Sequence, residues 1–201
     1  VMTTPTLYII RHGQTDWNAS HRLQGVSDVP LNALGKEQAQ QSGRLLADLL
    51  KNDGLEPSTL DWHVSPLERT VVTSNLARAT FETAIGAMHL DQGLIEISFG
   101  EYEGESVPEL YASKHEPIQN WLANRWHQRP ADGENYGDVA KRLAPLLSSL
   151  DRPTVLVSHG GVTRTLRYML CGAAPEEMLE WLPVQGSVMK ISNGTFEAFG
   201  E

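Results

Sequence analysis

Three short apolar runs constrain what this chain can fold into: LYII at 7–10, WHV at 62–64 and TVLVS at 154–158. Each is followed by a stretch with helical character. A half-exposed strand would alternate apolar with polar residues; unbroken runs rich in branched side chains suit strands covered on both faces. Helices joining such strands act as crossovers and bring the strands parallel. The pattern predicts an α/β three-layer sandwich, a mostly parallel central sheet flanked by helices.

The helical stretches carry their own end signals. In PLNALGKEQAQQSGRLLADLLKN (30–52), Asn32 is placed as an N-cap, and Ala39, Leu45, Leu46, Leu49 and Leu50 supply the apolar face. In SPLERTVVTSNLARATF (65–81), Ser65 reads as the cap and Pro66 as the first helical residue. GGVTRTLRYMLCG (160–172) stops at Gly172. Near the end, SVMKISNGTFEAF holds two alternating runs around Asn193-Gly194, which predicts an antiparallel C-terminal hairpin. Residues 101–150 read as mostly helical, and about 97–136 is expected as a helical insertion over the active-site edge of the sheet. One domain spanning 1–201 is expected.

Charge narrows the partners. With 16 Lys and Arg against 25 Asp and Glu, the formal net charge is −9. That argues against nucleic acid or an anionic membrane as partner. No apolar run approaches the roughly 18 residues of a membrane span, and VMTTPT lacks the features of a signal peptide. Cys171 is the single cysteine, so no internal disulfide can form. The expected location is cytoplasmic. An anionic substrate would then need a local cluster of cations.

The strand exits provide one. They read RHG, SPLER and SHGG. In an open α/β sheet, ligands bind outside the carboxyl ends of the strands. Arg11, His12, Arg69 and His159 therefore converge on one rim. Two arginines offer planar forks of donors to a phosphoryl group, and Gly160 and Gly161 let backbone N–H groups approach it. The substrate inferred is a small-molecule phosphomonoester. A site that only binds phosphate could use Arg and Lys throughout. A neutral imidazole can instead attack phosphorus and form a phosphohistidine, and a second, protonated imidazole could stabilise the charge that builds. A carboxyl group must then protonate the leaving alkoxide. Glu96, Glu101, Glu103 and Glu105 are all available in or beside LIEISFGEYEG, and chemistry alone leaves that choice open.

Taken together and in order, LYIIRHGQTDWN, LQGVSDVPLNALGKEQA, VSPLERTVVTS, LIEISFGEYEG and LVSHGG resemble the histidine phosphatase superfamily, the phosphoglycerate-mutase-like enzymes. The resemblance implies that His12 is the nucleophile and that Arg11, Arg69 and His159 complete the phosphate pocket. It also implies that Glu96, in the Leu-x-Glu element before Phe99-Gly100, is the acid. Asn18, Gln24 and Gly25 match substrate-contact positions. No metal and no cofactor are implied. PADGENYGDVAKR carries Asn135 where the family has Ser, which weakens any role for Glu134.

Family mutases hold a second anionic group with basic residues of the insertion. Between Ile97 and Asp132 the fixed cations here are Lys114, Arg125 and Arg129, with no Arg-Arg pair. The reading is therefore a phosphoric monoester hydrolase of the histidine acid phosphatase type, on a substrate with an apolar or neutral body. Mutase-type phosphoryl transfer and a non-catalytic phosphate-binding module are the alternatives. A homodimer is compatible with all three.

Overall fold

In β1, Leu7–Arg11, Leu7 and Ile9 face one hydrophobic core while Tyr8 and Ile10 face another, and all four are fully buried. This is why the run is apolar without interruption: each face of the sheet carries its own helical layer. Burial of such a side chain contributes about 1.5–3 kcal/mol relative to exposure. The computed structural model describes residues 3–201; Val1 and Met2, which begin the stretch read for a signal peptide, lie outside the described residues.

The remaining elements follow in order. They are α1 (Asp16–Ala19), α2 (Ala33–Asn52), β2 (Asp61–Val64), α3 (Glu68–Arg78), β3 (Met88–Leu90), α4 (Val107–Ala112) and α5 (Glu116–Ala123). Then come α6 (Tyr136–Ser149), β4 (Thr154–Ser158), α7 (Gly160–Cys171), α8 (Pro175–Glu180), β5 (Val188–Ser192) and β6 (Thr195–Phe199). The sheet order is β3-β2-β4-β1-β5-β6. The β3–β2, β2–β4 and β4–β1 pairs are parallel; β5 pairs antiparallel with β1 and β6. The mostly parallel sheet, its flanking helices and its antiparallel end are as the sequence predicts. β3 is an addition. Met88, His89 and Leu90 are all exposed, so this edge strand lacks the apolar signature that marks the buried ones.

Local chemistry explains most boundaries. Asn32 caps α2 by accepting from Gly35 N at 2.9 Å. Gly172 ends α7 in the left-handed region, φ 68°. Asn193 and Gly194, at φ 50° and 76°, make the hairpin turn, the two positive values that fit a twisted ribbon.

One boundary differs from expectation. Ser65 is not the cap of α3, which starts three residues later at Glu68. Ser65 N continues the sheet ladder to Val157 O at 3.0 Å, and its hydroxyl meets His159 Nε2 at 2.8 Å. The carboxylate of Asp28, from a distant loop, accepts the Glu68 N–H instead, at 3.0 and 3.1 Å. In the expected insertion, 97–136, the chain forms a 3-10 turn, α4, α5 and connecting loops. Trp121 and Trp126 are buried there, whereas Tyr111 is 56% exposed.

Candidate active site

The exits of β1 and β4 lie side by side. Arg11 pairs with Ser158 in the ladder, and His12 N donates to Ser158 O at 2.9 Å. The next residue on β4 is His159, so two imidazoles from opposite ends of the chain stand with ring centroids 5.2 Å apart. Both are buried. His12 Nδ1 lies 2.7 Å from Gly13 O. A carbonyl oxygen only accepts, so Nδ1 carries the proton and Nε2 keeps a free lone pair.

Burial, then the charges of Arg69 and Arg11, hold the His12 pKa well below its ordinary value. Burial, Arg69, His12 and Arg11 do the same to His159. In the free protein both rings therefore favour the neutral form. Ser65 Oγ can donate to His159 Nε2, which leaves the ring proton on Nδ1, an atom with no partner among the described residues.

A consequence for stability follows. On unfolding, both histidines return to about 6.5, above their folded values, so below that pH the unfolded chain binds more protons. Stability is full above about pH 6.5 and is lost as pH falls through it, by up to about 1.4 kcal/mol per pH unit for each histidine. Thermal melting from neutral to mildly acidic pH should show this slope, and His12→Gln should flatten it. An unchanged slope in the variant would reject the depressed value.

The arginines are held rather than free. Arg69 is fully buried; its Nη1 donates to Ser27 O at 2.8 Å and its Nη2 to Gly25 O. Gln24, with its carboxamide oxygen turned to Arg69, accepts from Nε at 2.8 Å while its nitrogen donates to Thr15 Oγ1. Gln24 and Gly25 thus lie against Arg69 as well as along the cleft. Arg11 Nη1 donates to Pro183 O at 2.8 Å, and its buried Nε has no partner among the described residues. Burial, only partly offset by Glu96, lowers its pKa to about 10, so it stays cationic.

Of the four carboxylates, only Glu96 lines the cleft. Its Oε1 accepts from Ile97 N at 2.9 Å and its Oε2 from Gly161 N at 3.1 Å. A Cβ at position 161 would lie 2.5 Å from Glu96 Oε1, so glycine is what lets this carboxylate rest on the start of α7. The structure thus places Gly161 against Glu96 rather than on the cleft wall. Glu103 accepts from Val26 N, Ser27 N and Phe99 N, stapling two loops together. Glu101 and Glu105 are exposed away from the cleft. Glu134 holds Arg142, whose Nη2 reaches Glu96 O at 3.2 Å. Asn18 lines the cleft and also caps α1 with Thr15.

The cleft encloses about 460 Å³. Arg11, Arg22, Arg69, Arg125 and Arg164 line it, against the single carboxylate of Glu96. A protein of net charge −9 has gathered cations at one place, which fits an anionic ligand. Among the described residues no group of three or more His, Cys, Asp or Glu side chains could hold a metal ion, and no helix is long and apolar enough to cross a membrane.

Residues 7–197 match the family model of the histidine phosphatase superfamily, branch 1. The chain belongs to that superfamily. It is 32% identical over 191 residues to the glucosyl-3-phosphoglycerate phosphatase of Mycolicibacterium vanbaalenii, covering 85% of this chain and 76% of the relative. It is 31% identical over 174 residues to a probable phosphoglycerate mutase of Yersinia pestis, covering 83% of this chain and 74% of that protein. The solved mycobacterial glucosyl-3-phosphoglycerate phosphatase complexed with VO3 superposes with a TM-score of 0.75 at 26% identity, covering 94% of this chain and 92% of that one. The relatives that are phosphatases act on a small phosphorylated compound.

Two residues of this superfamily member escape the sequence reading. Arg164 is buried on α7 and donates to Leu179 O at 2.8 Å and Tyr136 Oη at 3.0 Å. Its signal was an arginine one helical turn after Gly160, on the face that meets the cleft. Gln185, on the loop before β5, lines the cleft and carries no motif at all.

Proposed function

We propose that this chain is a phosphomonoesterase of the histidine acid phosphatase type that passes a phosphoryl group through His12 without a metal ion. The observation that carries the reading is the Nδ1–H to Gly13 O bond, which leaves Nε2 as a neutral nucleophile inside an arginine-lined cleft. Arg11 and Arg69 would grip the phosphoryl oxygens, and His159 would offer Nδ1–H. Nε2 attacks phosphorus, the ester P–O bond breaks, and Glu96 gives its proton to the departing oxygen. Glu96 then takes a proton from water, whose oxygen displaces Nε2 and releases inorganic phosphate. Gly161 would hold Glu96 for both steps, while Asn18, Gln24 and Gly25 would border the transferring group.

The substrate is a small phosphorylated metabolite. Arg22 and Arg125 in the lining, the latter with a buried Nε that lacks a partner among the described residues, favour a second anionic group on it over an apolar or neutral body. A phosphoglycerate-type ester, as the names of the relatives suggest, has that character. The same two arginines support mutase-type transfer as the second reading. The acidic surface favours this small-molecule partner over nucleic acid or membrane. A cytoplasmic location and a homodimer belong to the same reading.

Rapid quench of the wild type with a panel of phosphomonoesters tests it. An acid-labile phosphoprotein followed by free phosphate, unchanged by a chelator, is expected. Phosphate reappearing on a second hydroxyl of the same acid would establish the mutase reading. A rate abolished by the chelator would reject the mechanism.

A further inference from the structure

Gln185 bonds two acceptors from the other end of the chain. Its Nε2 donates to His12 O at 3.2 Å and to Asn18 Oδ1 at 3.0 Å. A primary amide nitrogen carries two protons, so one side chain can serve both. Asn18 Oδ1 also accepts from Thr15 N and Thr15 Oγ1, each at 3.1 Å. A carboxamide fits a site of given shape either way round; here the donors decide. Reversed, the Asn18 N–H groups would face the N–H groups of Thr15 and Gln185. As it stands, Asn18 Nδ2 has no protein partner among the described residues, and Asn18 lines the cleft. The loop carrying Gln185 is itself fastened to the cleft, since Arg11 Nη1 donates to Pro183 O at 2.8 Å and Arg164 Nε to Trp181 O.

We propose that Gln185 is a positioning residue: it locks the Asn18 carboxamide with its N–H side toward the transferring phosphoryl group and steadies the His12 backbone. The inference rests on the phosphohistidine reading above. Without the lock, only the Thr15 bonds orient the carboxamide, and Asn18 turns more readily about its terminal torsion to present oxygen to the phosphoryl oxygens, which repels them. The loss falls on the chemical step, where the charge on those oxygens is being redistributed.

Gln185→Met keeps the length and removes both donors. Gln185→Glu keeps the shape and offers acceptors, which turn the Asn18 amide round. Single-turnover phosphoenzyme formation and steady-state kcat and KM would be measured for both, for Asn18→Ala, and for each double variant, with thermal melting to confirm folding. Gln185→Met should lower kcat by about 10- to 100-fold with a smaller change in KM, and Gln185→Glu should lower it further. In the Asn18→Ala background, Gln185→Met should cost no more than about threefold, because the Asn18 partner is already gone and only the longer bond to His12 O is left to lose. Multiplicative losses in the double variant, or wild-type kcat in Gln185→Met, would overturn the inference alone. Should Gln185→Met fail to fold, the Gln185→Glu cycle makes the same comparison. A wild type that turns over no phosphomonoester and forms no phosphoenzyme overturns the proposed function and this inference with it.

Discussion

His12→Ala should abolish the phosphoenzyme and lower turnover by about 10⁴-fold or more, while inorganic phosphate still binds. The split follows from the site. Removing the imidazole takes away the only ring nitrogen placed by the Gly13 bond with its lone pair free. Arg11 and Arg69 keep their anchors at Pro183 O and Ser27 O, neither of which involves His12. Binding of phosphate, followed by calorimetry, should change by only a few fold. The cleft also loses a group whose neutral form is favoured by burial and then by Arg69 and Arg11, so the cationic lining is kept. Turnover surviving near the wild-type rate would end the phosphohistidine mechanism. Loss of phosphate binding along with turnover would mean that the substitution has collapsed the pocket.

Glu96→Gln should discriminate between leaving groups. Alkyl phosphates need a proton on the departing oxygen, and their hydrolysis should fall by about 10²–10⁴-fold. p-Nitrophenyl phosphate has a leaving group stable as the anion and should lose far less. Ile97 N bonds Glu96 Oε1 and Gly161 N bonds Oε2, so glutamine keeps one of the two contacts and turns its NH2 toward the other donor; thermal melting checks that the loop stays in place. Equal losses on both esters would assign Glu96 to holding the start of α7 rather than to proton transfer. Glu103 could not easily inherit the role, because three backbone N–H groups already engage it.

The fold was legible where burial acts on short segments. β1 up to Ile10 and β4 are covered on both faces, so these positions are apolar or small, and the runs announce themselves. Asn32, Gly172 and the Asn193-Gly194 turn were legible because each satisfies a backbone requirement within a few residues of itself. β3 was not, since an exposed edge strand of three residues obeys no such constraint. Ser65 misled for a related reason. A serine before a proline is a good local cap, but here its hydroxyl answers to His159, 94 positions away.

By itself the sequence determined which chemistry could occur: arginines and histidines at the strand exits, with a carboxylate nearby, are local facts of residue type and register. It left the choice among Glu96, Glu101, Glu103 and Glu105 to resemblance, and the charge of the second imidazole to expectation. The tertiary structure decided which carboxylate faces the cleft, that burial beside Arg69 and Arg11 favours the neutral form of both rings, that Gly161 seats Glu96, and that Gln185 reaches Asn18. These depend on hydrogen-bond partners and on desolvation, and both come from chain segments that only folding brings together.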